Sequence, residues 1–107
     1  MALGDLNNAI LCCDEAIKIH SDCFIAWLHK ANSYIQLFRF NLSLECANKL
    51  VEINDKDYRA WILKAISYSK QMGKSKQSQE CFNKALEVAS DENAKKEILE
   101  LKEKLRL

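Results

Sequence analysis

Trp27-Leu28-His29-Lys30-Ala31-Asn32-Ser33-Tyr34 and Trp61-Ile62-Leu63-Lys64-Ala65-Ile66-Ser67-Tyr68 share one pattern, 34 residues apart. The indole, the lysine, the alanine, the serine and the phenol recur in place, and Ala26 returns as Ala60 just before the second copy. Downstream the offset becomes 35. Ser43, Glu45, Cys46, Asn48, Lys49 and Glu52 come back as Ser78, Glu80, Cys81, Asn83, Lys84 and Glu87. One residue is therefore inserted between Tyr68 and Ser78, and the turn near Met72-Gly73 is the expected place for it. Upstream, Asn7, Cys12 and Ile19 precede Asn41, Cys46 and Ile53 by 34. Self-similarity at a fixed period of this length is the mark of stacked structural units.

Each unit reads as two helices. Trp27, Ala31, Tyr34 and Leu37 recur at spacings of three and four, which puts them on one helical stripe. Leu44, Ala47, Leu50, Val51 and Ile53 do the same in the second half, and the sister unit has Trp61, Ala65 and Tyr68, then Phe82, Ala85, Leu86 and Val88. Small residues on a stripe let antiparallel helices approach closely. Polar links such as Asn54-Asp55-Lys56-Asp57 separate the units. The chain has no proline and two glycines, too few turn formers for many short strands. At 107 residues, 49% hydrophobic and 29% charged, it is expected to be one globular, all-α domain.

The pattern resembles the tetratricopeptide repeat family, whose unit is a 34-residue helix-turn-helix. Trp27 through Tyr34 match the first half of that unit, with Ala31 at the family's glycine. Gly73-Lys74-Ser75 and Cys81-Phe82-Asn83-Lys84-Ala85-Leu86-Glu87 match its turn and second half. Lys30 and Lys64 replace the usual leucine; a lysine stem covers apolar surface while its ammonium reaches water. Ser21, Asp55 and Ser90 stand where the family closes each unit with proline. The expected organisation is a helical-repeat solenoid of antiparallel helix pairs. Residues 1–23 hold the second helix of an incomplete repeat, 24–57 and 58–91 are full repeats, and 92–107 form a capping helix. Ser90 or Asp91 is its N-cap, and Ala94, Ile98, Leu101 and Leu105 are its apolar stripe. Residues 6 to 19 then lack a preceding helix. The chain is accordingly expected to be a fragment, or to cover Leu6, Ala9, Cys13 and Ala16 with a second copy as a homodimer.

The resemblance also implies a concave groove lined by the first helices. Its positions fall on Ile25, Leu28, His29, Asn32, Ile35 and Gln36 in one repeat, and on Arg59, Ile62, Leu63, Ile66, Ser69 and Lys70 in the next. This set is apolar in the middle and basic at the edges, without an acid. It suits a peptide or helix with apolar anchors and an acidic residue, held by Leu28, Ile62, Leu63 and Ile66, with Asn32 on its backbone and Arg59 and Lys70 on its carboxylates. Family members that act as co-chaperones hold acidic chaperone tails with a Lys/Arg pair at the second and sixth positions of the last repeat. Here those positions are Ile25 and His29, then Arg59 and Leu63, so neither repeat has the pair. A degenerate clamp of that kind is the alternative function, below binding of a different partner.

Other function classes are disfavoured. Sixteen basic residues balance fifteen acidic ones, for a net charge of +1, and nucleic-acid binding calls for a concentrated basic field. No stretch approaches the roughly 20 apolar residues of a membrane span. Cys13, His20 and Cys23 fit no paired-ligand spacing and lack a fourth ligand, so no metal is expected. Cys46 and Cys81, at one repeat position, behave as small packing residues. No nucleophile-base-acid set and no Gly-rich phosphate loop occur, so neither catalysis nor a cofactor is expected. Five cysteines without a secretory leader point to the reducing cytoplasm. The expected function is a scaffold or adaptor that binds another protein.

Overall fold

Capping side chains mark where several helices start. Asp57 Oδ1 accepts the Arg59 N–H at 3.0 Å, Asp91 Oδ1 accepts that of Ala94 at 2.6 Å, and Ser75 forms a capping box with Ser78. In the computed structural model, which describes residues 3–73 and 75–105, six helices follow one another without a strand among those residues. They are α1 (Leu3–Ile19), α2 (Phe24–Gln36), α3 (Phe40–Ile53), α4 (Tyr58–Met72), α5 (Lys76–Val88) and α6 (Glu92–Lys104). Each packs on the next, and α2 also touches α4. This is an all-α helical-repeat solenoid of antiparallel pairs: α2–α3 and α4–α5 are the two full repeats.

The inserted residue does not sit in the turn. It lengthens α4, which runs 15 residues where α2 runs 13. Gln71 and Met72 continue the helix, and Gly73 ends it at φ 68° with its N–H on the Ser69 carbonyl, 2.7 Å away. Likewise α1 starts at Leu3, not at residue 6. A β-carbon at Gly4 would meet nothing within 4 Å, so no packing demands a turn there.

The core lies along the seams between helices. Ala31, Ala47, Leu50 and Ala60 are wholly or almost wholly buried in the seam of α2, α3 and α4; Ala65, Phe82, Ala85 and Ile98 fill that of α4, α5 and α6. The two tryptophans do the same job in each repeat. Trp27 Nε1–H donates to the Ser21 carbonyl at 2.9 Å, and Trp61 Nε1–H to the Asp55 carbonyl at 2.7 Å, so each indole ties its helix to the link six residues upstream. Asp91 caps α6, which covers the last repeat with Ala94, Ile98, Leu101 and Leu105. Residues 1–2 and 106–107 of the expected end units lie outside the described residues.

One expectation is corrected here. The face of α1 expected to need a second copy does not lie open. Leu6, Ile10 and Cys13 are buried, Ala9 and Ala16 are half-buried, and α1 packs on α2. A 2.6 Å ion pair between Lys30 of α2 and Asp14 of α1 fastens the contact. Burial is the largest single effect and disfavours the Lys30 charge, yet the hydrogen bond and the negative charge of Asp14 together outweigh it and leave the Lys30 pKa raised. Self-association through Leu6, Ala9, Cys13 and Ala16 would have to open this contact.

The repeated serines are a polar feature of the core. Ser43 and Ser67 are fully buried, and their hydroxyls lie 2.7 Å apart between α3 and α4. Each also reaches a helix carbonyl, Phe40 at 2.9 Å and Leu63 at 2.8 Å. Removing one hydroxyl costs the other a partner; removing both leaves apolar groups of similar shape. Ser43→Ala and Ser67→Ala should each lower stability by about 1 kcal/mol in urea unfolding, and the double variant should lose less than their sum. Strict additivity would show that the two hydroxyls do not act as a pair.

Candidate functional site

Because α2 and α4 are both first helices, they run parallel and present the same register positions to one side of the stack. Leu28 and Asn32 from α2, with Arg59, Ile62, Leu63 and Ile66 from α4, line one pocket of about 220 Å³. Six of the twelve expected groove residues thus come together. Leu28 and Leu63 are buried and belong to the core seam as well, so they form its floor; Ile62 and Ile66 are half-buried, and Asn32 is exposed. The other six lie outside this pocket. Ile25 is half-exposed at the start of α2, His29, Gln36 and Lys70 are exposed, Ile35 packs partly against the core, and Ser69 is half-buried.

Arg59 is the charged residue of the pocket, and the sequence reading missed its partner. The Arg59 guanidinium makes a two-pronged contact with Asp57, Nε to Oδ1 at 3.1 Å and Nη2 to Oδ2 at 2.8 Å. Its Cζ also lies 5.4 Å from the centre of the Phe24 ring. The side chain is therefore held in place, and its charge is largely offset. The hydrogen bond from Arg59, against a smaller opposing effect of burial, holds the Asp57 carboxyl below its ordinary pKa. A set counted as acid-free from the groove positions alone has an acid at its rim. An N-cap aspartate two residues before an arginine was the sequence signal for it. Lys70, one turn beyond Ile66, makes no ion pair among the described residues.

The remaining candidates fall elsewhere. Cys46 and Cys81 are buried behind Trp27 and Trp61; burial pushes the Cys46 thiol up to about 11 and raises that of Cys81. Both stay protonated near neutral pH and act as small apolar fillers. Cys13 is buried, His20 is exposed, and Cys23 is the N-cap of α2. No three His, Cys, Asp or Glu side chains gather as metal ligands among the described residues. No helix among them is long and apolar enough to cross a membrane.

A sequence profile of the tetratricopeptide repeat matches residues 25–57 and 58–92. The chain belongs to that family. Two solved structures share its fold. The first TPR of Spaghetti (RPAP3) bound to HSP90 peptide SRMEEVD superposes with a TM-score of 0.78 at 17% identity, over 97% of this chain and 82% of that one. The MamA RS-1 ArsTM double mutant does so with a TM-score of 0.72 at 19% identity, over 97% of this chain and 67% of that one. No curated protein matches the chain.

Asp57→Asn keeps a capping side chain and removes the charge on Arg59's partner. A carboxylate with a depressed pKa stabilises the fold above its unfolded pKa and loses that effect as pH falls through its folded pKa. The variant should lose about 0.5 kcal/mol at neutral pH, as expected for a partly exposed pair. Urea unfolding across pH should show this deficit shrinking to nothing below the ordinary carboxylate range.

Proposed function

We propose that this chain is a non-catalytic protein-interaction module, a scaffold or adaptor piece, that receives a peptide or helix of a partner along α2 and α4. The observation that carries this is the pocket of Leu28, Asn32, Arg59, Ile62, Leu63 and Ile66 between two parallel helices. Its floor is apolar, its flank offers the Asn32 amide, and its only charge is already paired. Apolar anchors therefore supply most of the affinity, and Asn32 bonds the partner's backbone. An acidic residue in the partner would bind at Lys70, or share Arg59 with Asp57. Membership of a repeat family supports the reading, as does a structural neighbour that holds a peptide. Five free cysteines favour the cytoplasm as its compartment.

The second reading, a co-chaperone adaptor, rests on that neighbour's bound HSP90 peptide. Against it stand Ile25 and His29, then Arg59 and Leu63, at the two positions a cationic pair would take. Arg59 is also committed to Asp57. A carboxylate clamp without its arginine fork loses most of its hold.

Peptides selected from a random library on the folded protein should carry apolar anchors. Ile62→Asp and Ile66→Asp should each weaken the selected peptides at least tenfold by calorimetric titration. Arg59→Glu with Lys70→Glu should weaken an acidic peptide, whereas Asp57→Asn, which frees the guanidinium, should strengthen it a few-fold. Unchanged binding by the isoleucine variants would remove the groove assignment. The peptide SRMEEVD should bind no better than about millimolar; micromolar binding would establish the co-chaperone reading instead.

A further inference from the structure

Phe38, between α2 and α3, has φ 59°, the one left-handed non-glycine backbone among the described residues. It stands 35 residues before Gly73, which closes α4 at φ 68°. The two turns differ: Gly73 is the C-cap of α4, with ψ −144°, whereas Phe38 follows the Leu37 C-cap of α2, and a positive φ costs a bulky aromatic what it does not cost glycine. The Phe38 ring is 80% exposed, its aromatic contact being the edge of Phe40, 6.0 Å between centres. The backbone favours glycine at this position and water favours a polar side chain, yet neither is present. A strained and exposed aromatic that the core does not use points to something outside the chain.

Its surroundings say what. Since α2 and α4 run parallel, residues 36–41, 70–73 and 75–77 lie at the same end of the stack. They hold Arg39, Lys70 and Lys76 and no acid, and Lys76 faces Glu80, one turn into α5, at 4.0 Å in an exposed pair. Met72, half-exposed, is the last residue of α4. Two other helix ends reach this end: the start of α1 brings Asp5, and the end of α6 brings Lys102, Glu103 and Lys104. The links at the opposite end carry Asp22, Asp55, Asp57 and Asp91 against Lys56, with Asp57 paired to Arg59 and Asp22 facing Lys49 at 3.8 Å. A chain of balanced charge is therefore polarised, with its exposed Phe38 and Met72 at the basic end.

We propose that this basic end docks on the surface of an anionic lipid bilayer. Phe38 and Met72 enter the boundary between headgroups and acyl chains, while Arg39 and Lys76 meet lipid phosphates. Phe38 follows α2 and Met72 ends α4, so the two exposed apolar side chains come from different repeats. A fluid surface accepts separate protrusions without matched shape, whereas a protein would need two pockets at the right spacing.

Co-sedimentation with phosphatidylcholine vesicles containing about one-third phosphatidylserine tests this directly. The chain should sediment with these vesicles, hardly at all with pure phosphatidylcholine, and be released as salt rises from about 0.1 M to about 1 M. Asn tolerates the left-handed region, so Phe38→Asn should keep or raise the melting temperature while reducing partition about tenfold. Arg39→Glu with Lys76→Glu should reduce it comparably. No partition into anionic vesicles, equal partition into neutral ones, or wild-type partition of Phe38→Asn would each overturn the proposal. So would a lowered melting temperature of Phe38→Asn, which would make Phe38 a part of the fold. Binding to soluble polyglutamate without vesicle binding would overturn it in favour of an acidic protein.

Discussion

The close approach of antiparallel helices over alanine is the constraint on which the rest of this structure depends. Ala31, Ala47, Ala60, Ala65 and Ala85 lose essentially all contact with solvent at the seams. With no side chain longer than a methyl at those points, neighbouring helices close up and larger residues such as Leu50, Phe82 and Ile98 fill the space beside them. The serines extend the same logic. Ser43 and Ser67 fit where only small residues fit, and being polar they must find each other. A larger residue at any of these sites would push two helices apart and with them the repeat-to-repeat step.

That step is what makes the pocket. Helices α2 and α4 both pack on α3 and also touch each other, which brings Leu28 and Asn32 of one repeat to Ile62, Leu63 and Ile66 of the next. The floor of the pocket is core and its walls are surface. Leu28 and Leu63 are therefore tied to the core and Ile62 packs partly against the seam of α4, α5 and α6, whereas Ile66 and Asn32 are freer to vary without loss of fold.

Repeat identity made the fold legible. Trp27 and Trp61 were readable as equivalent because they are, down to the carbonyl each one bonds six residues upstream. The groove positions followed from the same register, and half of them line one pocket. What register could not supply was anything set by a single site. The Asp57–Arg59 pair depends on a local turn that the other repeat does not copy, since Cys23 and Ile25 stand at the matching positions. The inserted residue moved into α4 because helix propagation through Gln71 and Met72 outweighed a longer turn. The cover of α1 was misjudged because α1 was expected to need a missing partner, while α2 already buries Leu6 and Cys13.

The two repeats also differ in an orderly way. Residues that hold each unit together recur: Trp27 with Trp61, Ala31 with Ala65, Tyr34 with Tyr68, Cys46 with Cys81. At the six groove positions not one residue recurs: Ile25 faces Arg59 in the register, Leu28 Ile62, His29 Leu63, Asn32 Ile66, Ile35 Ser69 and Gln36 Lys70. A groove built from two like halves would favour a ligand with an internal repeat of its own. One built from unlike halves, polar at Asn32 and apolar at Ile66, distinguishes the two ends of a ligand and so fixes its direction. The buried frame diverges in a compensating pair, Ala47 with Leu50 in one repeat against Phe82 with Ala85 in the next, so a large and a small residue exchange places while the seam stays filled.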